Sequence, residues 1–149
     1  MKTRIDYSFS GVYCLTLCTP RKLAFFGKEY GDRLYMTPAG EMLCDVWAAL
    51  PHAFTGFRPG PIAVLPYGFT ALADLSQAMQ RDDIPLTLPA LIQHVRLATT
   101  RRYDSGVRLK GWPHYPGRLW DFGYRANPVE NEEARKHYER TIRRKGARF

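Results

Sequence analysis

Residues Val12–Cys18 read Val-Tyr-Cys-Leu-Thr-Leu-Cys, apolar, aromatic or β-branched throughout. Both phases of the two-residue period lack charge, which predicts a central strand covered on both faces. Pro20-Arg21-Lys22 ends it, and a turn around Gly31-Asp32 leads to a short strand over Arg33–Met36. Thr37-Pro38 then has the form of a helix start, with Thr37 as N-cap and Pro38 at the first helical position. Leu43, Val46, Trp47 and Leu50 recur at helical spacing until Pro51, where the helix is expected to stop. Residues 62–65 and 69–75 read as strands interrupted by Pro66-Tyr67-Gly68, a pattern that suggests a bulge or bend.

A second helix begins near Thr87, with Leu88, Leu91, Ile92, Val95, Ala98 and Thr99 as its buried stripe. Arg96 flanks the stripe on one side, His94 and Arg101 on the other. Residues 103–125 read as a glycine-rich, basic and aromatic loop. A last helix starts between Asn127 and Asn131, and Asn127 with Glu130 has capping-box spacing. Its acids, Glu130, Glu132 and Glu133, come first and its cations, Arg140, Arg143, Arg144 and Lys145, come last, matching the helix dipole. Strands mixed with three helices on short connections predict an α+β sandwich.

The chain has 149 residues, enough for one domain with a real core, and neither a repeat nor a linker divides it. It contains no apolar run long enough to span a membrane, and residues 1–6 lack the apolar stretch of a signal peptide. Cys14, Cys18 and Cys44 form no CxxC pair and leave one thiol odd, so a reduced, cytoplasmic protein with buried thiols is expected. The net charge of +8 is unevenly spread. Residues 1–80 carry seven Lys/Arg against six Asp/Glu, whereas 81–149 carry fifteen against eight, ending in a basic tail over 140–149. A field concentrated on one half points to a polyanionic partner.

Five stretches share their order and spacing with one known family over about residues 11–144. Tyr13-Cys14-Leu15-Thr16-Leu17-Cys18-Thr19 precedes Phe25-Phe26-Gly27, as a strand precedes an "(L)FG" element. Met36-Thr37-Pro38-Ala39-Gly40-Glu41, with Trp47 following, matches "LTPAGE…W". Val64-Leu65-Pro66-Tyr67-Gly68-Phe69-Thr70 stands where the family has "VMPNHVH". Residues 88–96 and 99–102 echo its "L…I..FK…T" helix, and residues 119–133 its "LWQRNYYEHIIRNEEE". The chain thus resembles the single-tyrosine HUH transposases, especially their REP-associated branch. That resemblance implies a compact α+β palm, a mainly antiparallel sheet with packed helices, related to ferredoxin-like and RRM-like folds.

In that family two histidines two residues apart on a strand hold Mg2+ or Mn2+ against the scissile phosphate of DNA. A tyrosine then attacks and becomes joined to the 5′ phosphate. Residues i and i+2 of a strand share a face, which the ligand geometry requires. Here those positions hold Gly68 and Thr70, and the nucleophile position, counted from Trp120, holds Arg125. Gly68 has no side chain and Thr70 offers a neutral hydroxyl, a poor ligand. His52, His94, His114 and His137 make no H-x-H pair, so no metal or other cofactor is expected. Tyr124 is one residue off register and could act only if the backbone shifts; the favoured reading is an aromatic that packs or stacks on DNA. Restoring histidines at 68 and 70 is expected to recover metal binding, with cutting further requiring Arg125→Tyr.

The binding half of the family's equipment is present. Arg96, Arg101, Arg102, Arg108, Lys110, Arg118 and Arg125 fall within thirty residues that contain only Asp104 and Asp121 as acids. Trp112, Tyr115, Trp120 and Tyr124 are interleaved with them; Trp120, with Phe122, also suits the core. Cations that track phosphates and aromatics that stack bases predict single-stranded or hairpin DNA as partner, with Tyr115 as a stacking residue. A working transposase using Tyr124, and an RNA-binding or structural module on the same fold, are the alternatives. Relatives include both monomers and dimers, so a homodimer and a monomer both stay open.

Overall fold

The alternation in β1 (Val12–Cys18) orients the whole sheet. Tyr13, Leu15 and Leu17 are buried in the main core, and Cys14 belongs to a second cluster on the opposite face. The computed structural model describes residues 11–146; residues 1–6 and the end of the basic tail lie outside the described residues. After a turn at Pro20–Lys22 come the hairpin strands β2 (Gly27–Tyr30) and β3 (Arg33–Met36). Helix α1 (Pro38–Ala53) follows, then β4 (Arg58–Leu65), β5 (Gly68–Asp74), helix α2 (Leu88–Lys110), β6 (Arg125–Pro128) and helix α3 (Glu132–Lys145).

Four strands form one antiparallel sheet in the order β4-β5-β1-β6. Leaving the β2–β3 hairpin aside, the chain runs β1-α1-β4-β5-α2-β6. That is the ferredoxin-like split βαβ arrangement expected from the resemblance. α1 packs on β4, and α2 packs on α1, both over the core face. α3 lies across β4 and β5 on the other face, where Ile142 and Tyr138 meet Cys14, Ala63 and Leu72.

Four readings of the sequence change, each for a physical reason. Pro51 does not stop α1: Phe54 N–H still donates to the Leu50 carbonyl at 2.9 Å, and buried Trp47, Leu50 and Phe54 hold the last turn. Pro66-Tyr67 is the tight turn of the β4–β5 hairpin, and the irregularity falls instead between Pro59 and Ile62. Residues 103–110 are helix, because Tyr103 and Gly106 continue the buried stripe of α2. Trp112 folds back over Gly106, where a Cβ would collide with the indole ring, and Gly111 closes the helix at φ 71°. Asn127 caps nothing, since pairing with Cys14 draws it into β6; Asn131 caps α3, its Oδ1 accepting from Ala134 N–H at 2.8 Å.

The loop after α2 is anchored by Trp120. Its ring stacks on Phe26 with centroids 5.3 Å apart and meets Phe69 edge-on at 5.8 Å. Its Nε1–H donates to the Thr99 hydroxyl at 2.8 Å, and both residues are buried. Phe122, for which the core was one open reading, is 74% exposed. Replacing Thr99 with isosteric Val leaves the indole N–H without a partner, which costs about 1–3 kcal/mol. Urea unfolding of Thr99→Val checks this, and an unchanged midpoint would mean that the bond contributes little.

Candidate nucleic-acid interface

The register of the sheet fixes which side chains meet. Thr70 pairs with Ala63 on one side and Thr16 on the other, and Thr16 pairs with Arg125. Directly opposed residues share a face, so Ala63, Thr70, Thr16 and Arg125 form one row on the face that carries α3. Gly68, two residues along, pairs with Cys18 on that same face. The pairing register thus matches that of an i, i+2 pair, but the backbone at Gly68 aims its Cβ direction into β1 instead of onto that face.

The chemistry of a two-histidine site is not retained. A Cβ on Gly68 would overlap the Leu17 carbonyl oxygen and lie 3.0 Å from the Cys18 Cα. The backbone has closed over the space that a ligand's first carbon needs. The Thr70 hydroxyl is joined to that of Thr16 at 3.0 Å. Among the described residues no three His, Cys, Asp or Glu side chains are grouped to hold an ion. A divalent metal does not fit the residues present. Substituting histidine at position 68 therefore cannot restore a ligand as the sequence suggested, because the side chain has nowhere to go without moving β1.

Tyr124 lies on the opposite side from this row. It immediately precedes β6, so it alternates with Arg125, and its ring sits 5.6 Å from the Arg96 guanidinium on α2, over the core face. Arg96 holds the loop itself: one of its terminal nitrogens donates to the carbonyls of Asp121, Phe122 and Gly123 at 3.0, 2.8 and 3.1 Å. Burial pulls its guanidinium below the usual value, and Tyr124 and Asp121 oppose that. Arg96 is thus the strut beneath Tyr124, committed to backbone carbonyls.

The remaining cations separate into groups. Arg118 stacks on the exposed ring of Phe122 at 3.6 Å and pairs with Asp121 at 3.8 Å. This loop, with Tyr124 and exposed Arg125 at its end, makes a basic and aromatic surface. Arg101 and Arg102 point about 100° apart on their helix. Arg101 lines a cavity of about 370 Å³ with His94 and Leu97. Arg102, 3.9 Å from Asp45, lines another of about 300 Å³ between α1 and α2 with Lys110 and Trp112. Among the described residues Arg108 donates to Ser105, at 3.4 Å. Tyr115 is half-buried: its hydroxyl donates to Asp104 at 2.6 Å and its ring meets Tyr103, a position that fastens the loop to α2. Burial foremost, then the Asp104 bond, pushes its phenol up to about 12. Phe122, which also suited the core in the sequence, is exposed instead and joins this surface.

The sheet order, the helix arrangement and the closed strand position together can be set against solved structures. A protein of Deinococcus radiodurans R1 classed as a transposase superimposes with a TM-score of 0.57 at 19% identity, over 99% of both chains. A REP-associated tyrosine transposase bound to a REP hairpin superimposes with a TM-score of 0.62 at 14% identity, covering 95% of this chain and 70% of the other. The chain shares its fold with these two structures. No protein-family model and no curated protein matches the sequence. No helix among the described residues is long and apolar enough to cross a membrane.

Gly68→His is expected to destabilise the protein by at least about 1–3 kcal/mol, the cost of overpacking a closed site. The double variant Gly68→His/Thr70→His should bind Mn2+ no better than the unmodified protein in calorimetric titration. Tight Mn2+ binding by a folded double variant would show that the strand can reopen.

Proposed function

We propose that this chain is a DNA-binding protein on a transposase fold, recognising single-stranded or hairpin DNA without cutting it. The observation that carries this reading is the collision that any side chain at position 68 would make with the Leu17 carbonyl. Tyr124, on the far face and over Arg96, supports it, because a nucleophile there is turned away from the row that holds Thr70. Arg125 on the near face has a fixed positive charge and suits holding a phosphate, a task for which arginine's planar fork is made. The binding half of the reading is supported by the uneven charge, by the cations and aromatics of residues 96–125, and by the hairpin-bound transposase of the same fold.

Binding should depend steeply on salt, since cations that neutralise phosphates release counterions. Replacing both Arg101 and Arg102 with Ala should weaken binding to all sequences and lower the log–log salt slope by about 1–2. Fluorescence anisotropy on a labelled hairpin measures both; a slope near zero for the unmodified protein would remove the electrostatic case. Incubation with hairpin DNA and Mg2+ or Mn2+ should leave no protease-sensitive adduct on a denaturing gel. An adduct abolished by Tyr124→Phe would make the protein a working transposase, and a marked preference for RNA over DNA of the same sequence would make it an RNA-binding module.

A further inference from the structure

The turn after β1 is built with unusual care. Arg21 and Lys22 are successive non-glycine residues in the left-handed region, at φ 58° and 54°. L side chains enter that region at a cost, and such strain persists where the surroundings over-determine it. Buried Thr19 supplies that constraint: its hydroxyl donates to the Leu23 carbonyl at 2.8 Å, and its carbonyl accepts from Lys22 N–H at 3.2 Å. The result sets the Lys22 ammonium over the ring of Tyr67, 5.4 Å from its centroid.

Tyr67 is held as firmly from its own side. It sits in the β4–β5 turn, where its carbonyl accepts from Thr19 N–H at 2.8 Å and that of Pro66 accepts from Phe26 N–H at 3.0 Å. Between this turn and the β2–β3 hairpin lies an open cavity of about 580 Å³. Lys22, Lys28, Tyr30 and Tyr67 line it together with Glu29. Tyr30 is 63% exposed and leans edge-on against Tyr35 at 5.8 Å. Neither lysine makes an ion pair among the described residues. The cavity adjoins the surface described above: Cys18, next to buried Thr19, pairs with Gly68, and its carbonyl accepts from Asp121 N–H at 2.9 Å. Burial pushes the Cys18 thiol up, while Lys22 from this side and Arg125 from the other pull it down.

We infer that this cavity receives one unpaired base of a bound DNA strand, stacked on Tyr67 and Tyr30, with Lys22 and Lys28 on the flanking phosphates. Two rings presented at a cavity edge and two unpaired ammonium groups are what a splayed nucleotide requires: a π face for the base and charge for its backbone. The Lys22 ammonium already over Tyr67 exchanges a ring face for a phosphate oxygen when the base arrives. The inference rests on the DNA-binding reading but concerns residues outside 96–125.

The test compares a short labelled oligothymidylate with the same strand carrying abasic residues, each titrated by anisotropy. Tyr67→Ala should lower affinity for oligothymidylate about 5- to 150-fold, the range of one base–aromatic stack, and leave the abasic strand unchanged. Tyr67→Phe should restore it, and Lys22→Ala should weaken both strands. Tyr30→Ala, at an exposed position that the fold does not need, should also lose base-dependent affinity. If both alanine variants bind oligothymidylate like the unmodified protein while Arg101→Ala/Arg102→Ala is weakened, DNA binding stands and this cavity is not the base site. If the unmodified protein binds neither strand at low salt, the DNA-binding reading fails and the base site with it.

Discussion

The pairing of β1 with β5 governs everything around the site. Seven residues on each strand are matched, from Val12 with Asp74 to Cys18 with Gly68. Because side chains alternate, a slip of one residue would carry Leu15, Leu17 and Phe69 out of the core and Thr16 and Thr70 into it. Two contacts within the pairing oppose such a slip. The Thr16–Thr70 hydroxyl bond ties a polar pair to the α3 face, and the bare Cα of Gly68 lets the Leu17 carbonyl come close. The tightness that secures the register also removes the room a metal ligand would occupy. The close pairing of the two strands and the lack of room at position 68 thus have one geometric cause.

From that register the two faces acquire separate tasks. The core face, under α1 and α2, binds the loop of residues 111–124 through Trp120 and Arg96 and so sets where Phe122, Arg118 and Tyr124 emerge. The other face carries α3 over β4 and β5 and leaves Arg125 exposed at the sheet edge. Adjacent residues Tyr124 and Arg125 therefore belong to different surfaces.

The elements that alternation or strong capping specify were legible in the sequence: β1, β3, the start of α1 at Thr37 and the stripe of α2. The order of motifs also gave the α+β palm. What remained hidden has local causes. The end of α2 was masked because Tyr103 and Gly106 carry the buried stripe among charged neighbours, and glycine reads as a breaker until Trp112 is seen filling its place. β6 was masked because its residues, Arg-Ala-Asn-Pro, have little strand propensity and are extended only through pairing with β1. At the site, the absent histidines were plain, but the reason a replacement fails was not: the collision at Gly68 involves a carbonyl fifty-one positions away. Tyr115 carried the composition of a stacking residue, yet its bond to Asp104 depends on a helix that sequence had ended too soon.

The central place of β1 also bears on how the chain is assembled. Its two neighbours in the sheet come late: Thr16 meets Thr70 at a separation of 54 residues and Arg125 at 109. During synthesis β1 leaves the ribosome before either of its partners in the sheet, and β5 emerges to cover one of its edges. The second edge stays bare until the four residues of β6 arrive behind the whole of α2. A nascent chain halted before Arg125 would carry an apolar strand with a free edge, the kind of surface that chaperones hold and that otherwise recruits other chains.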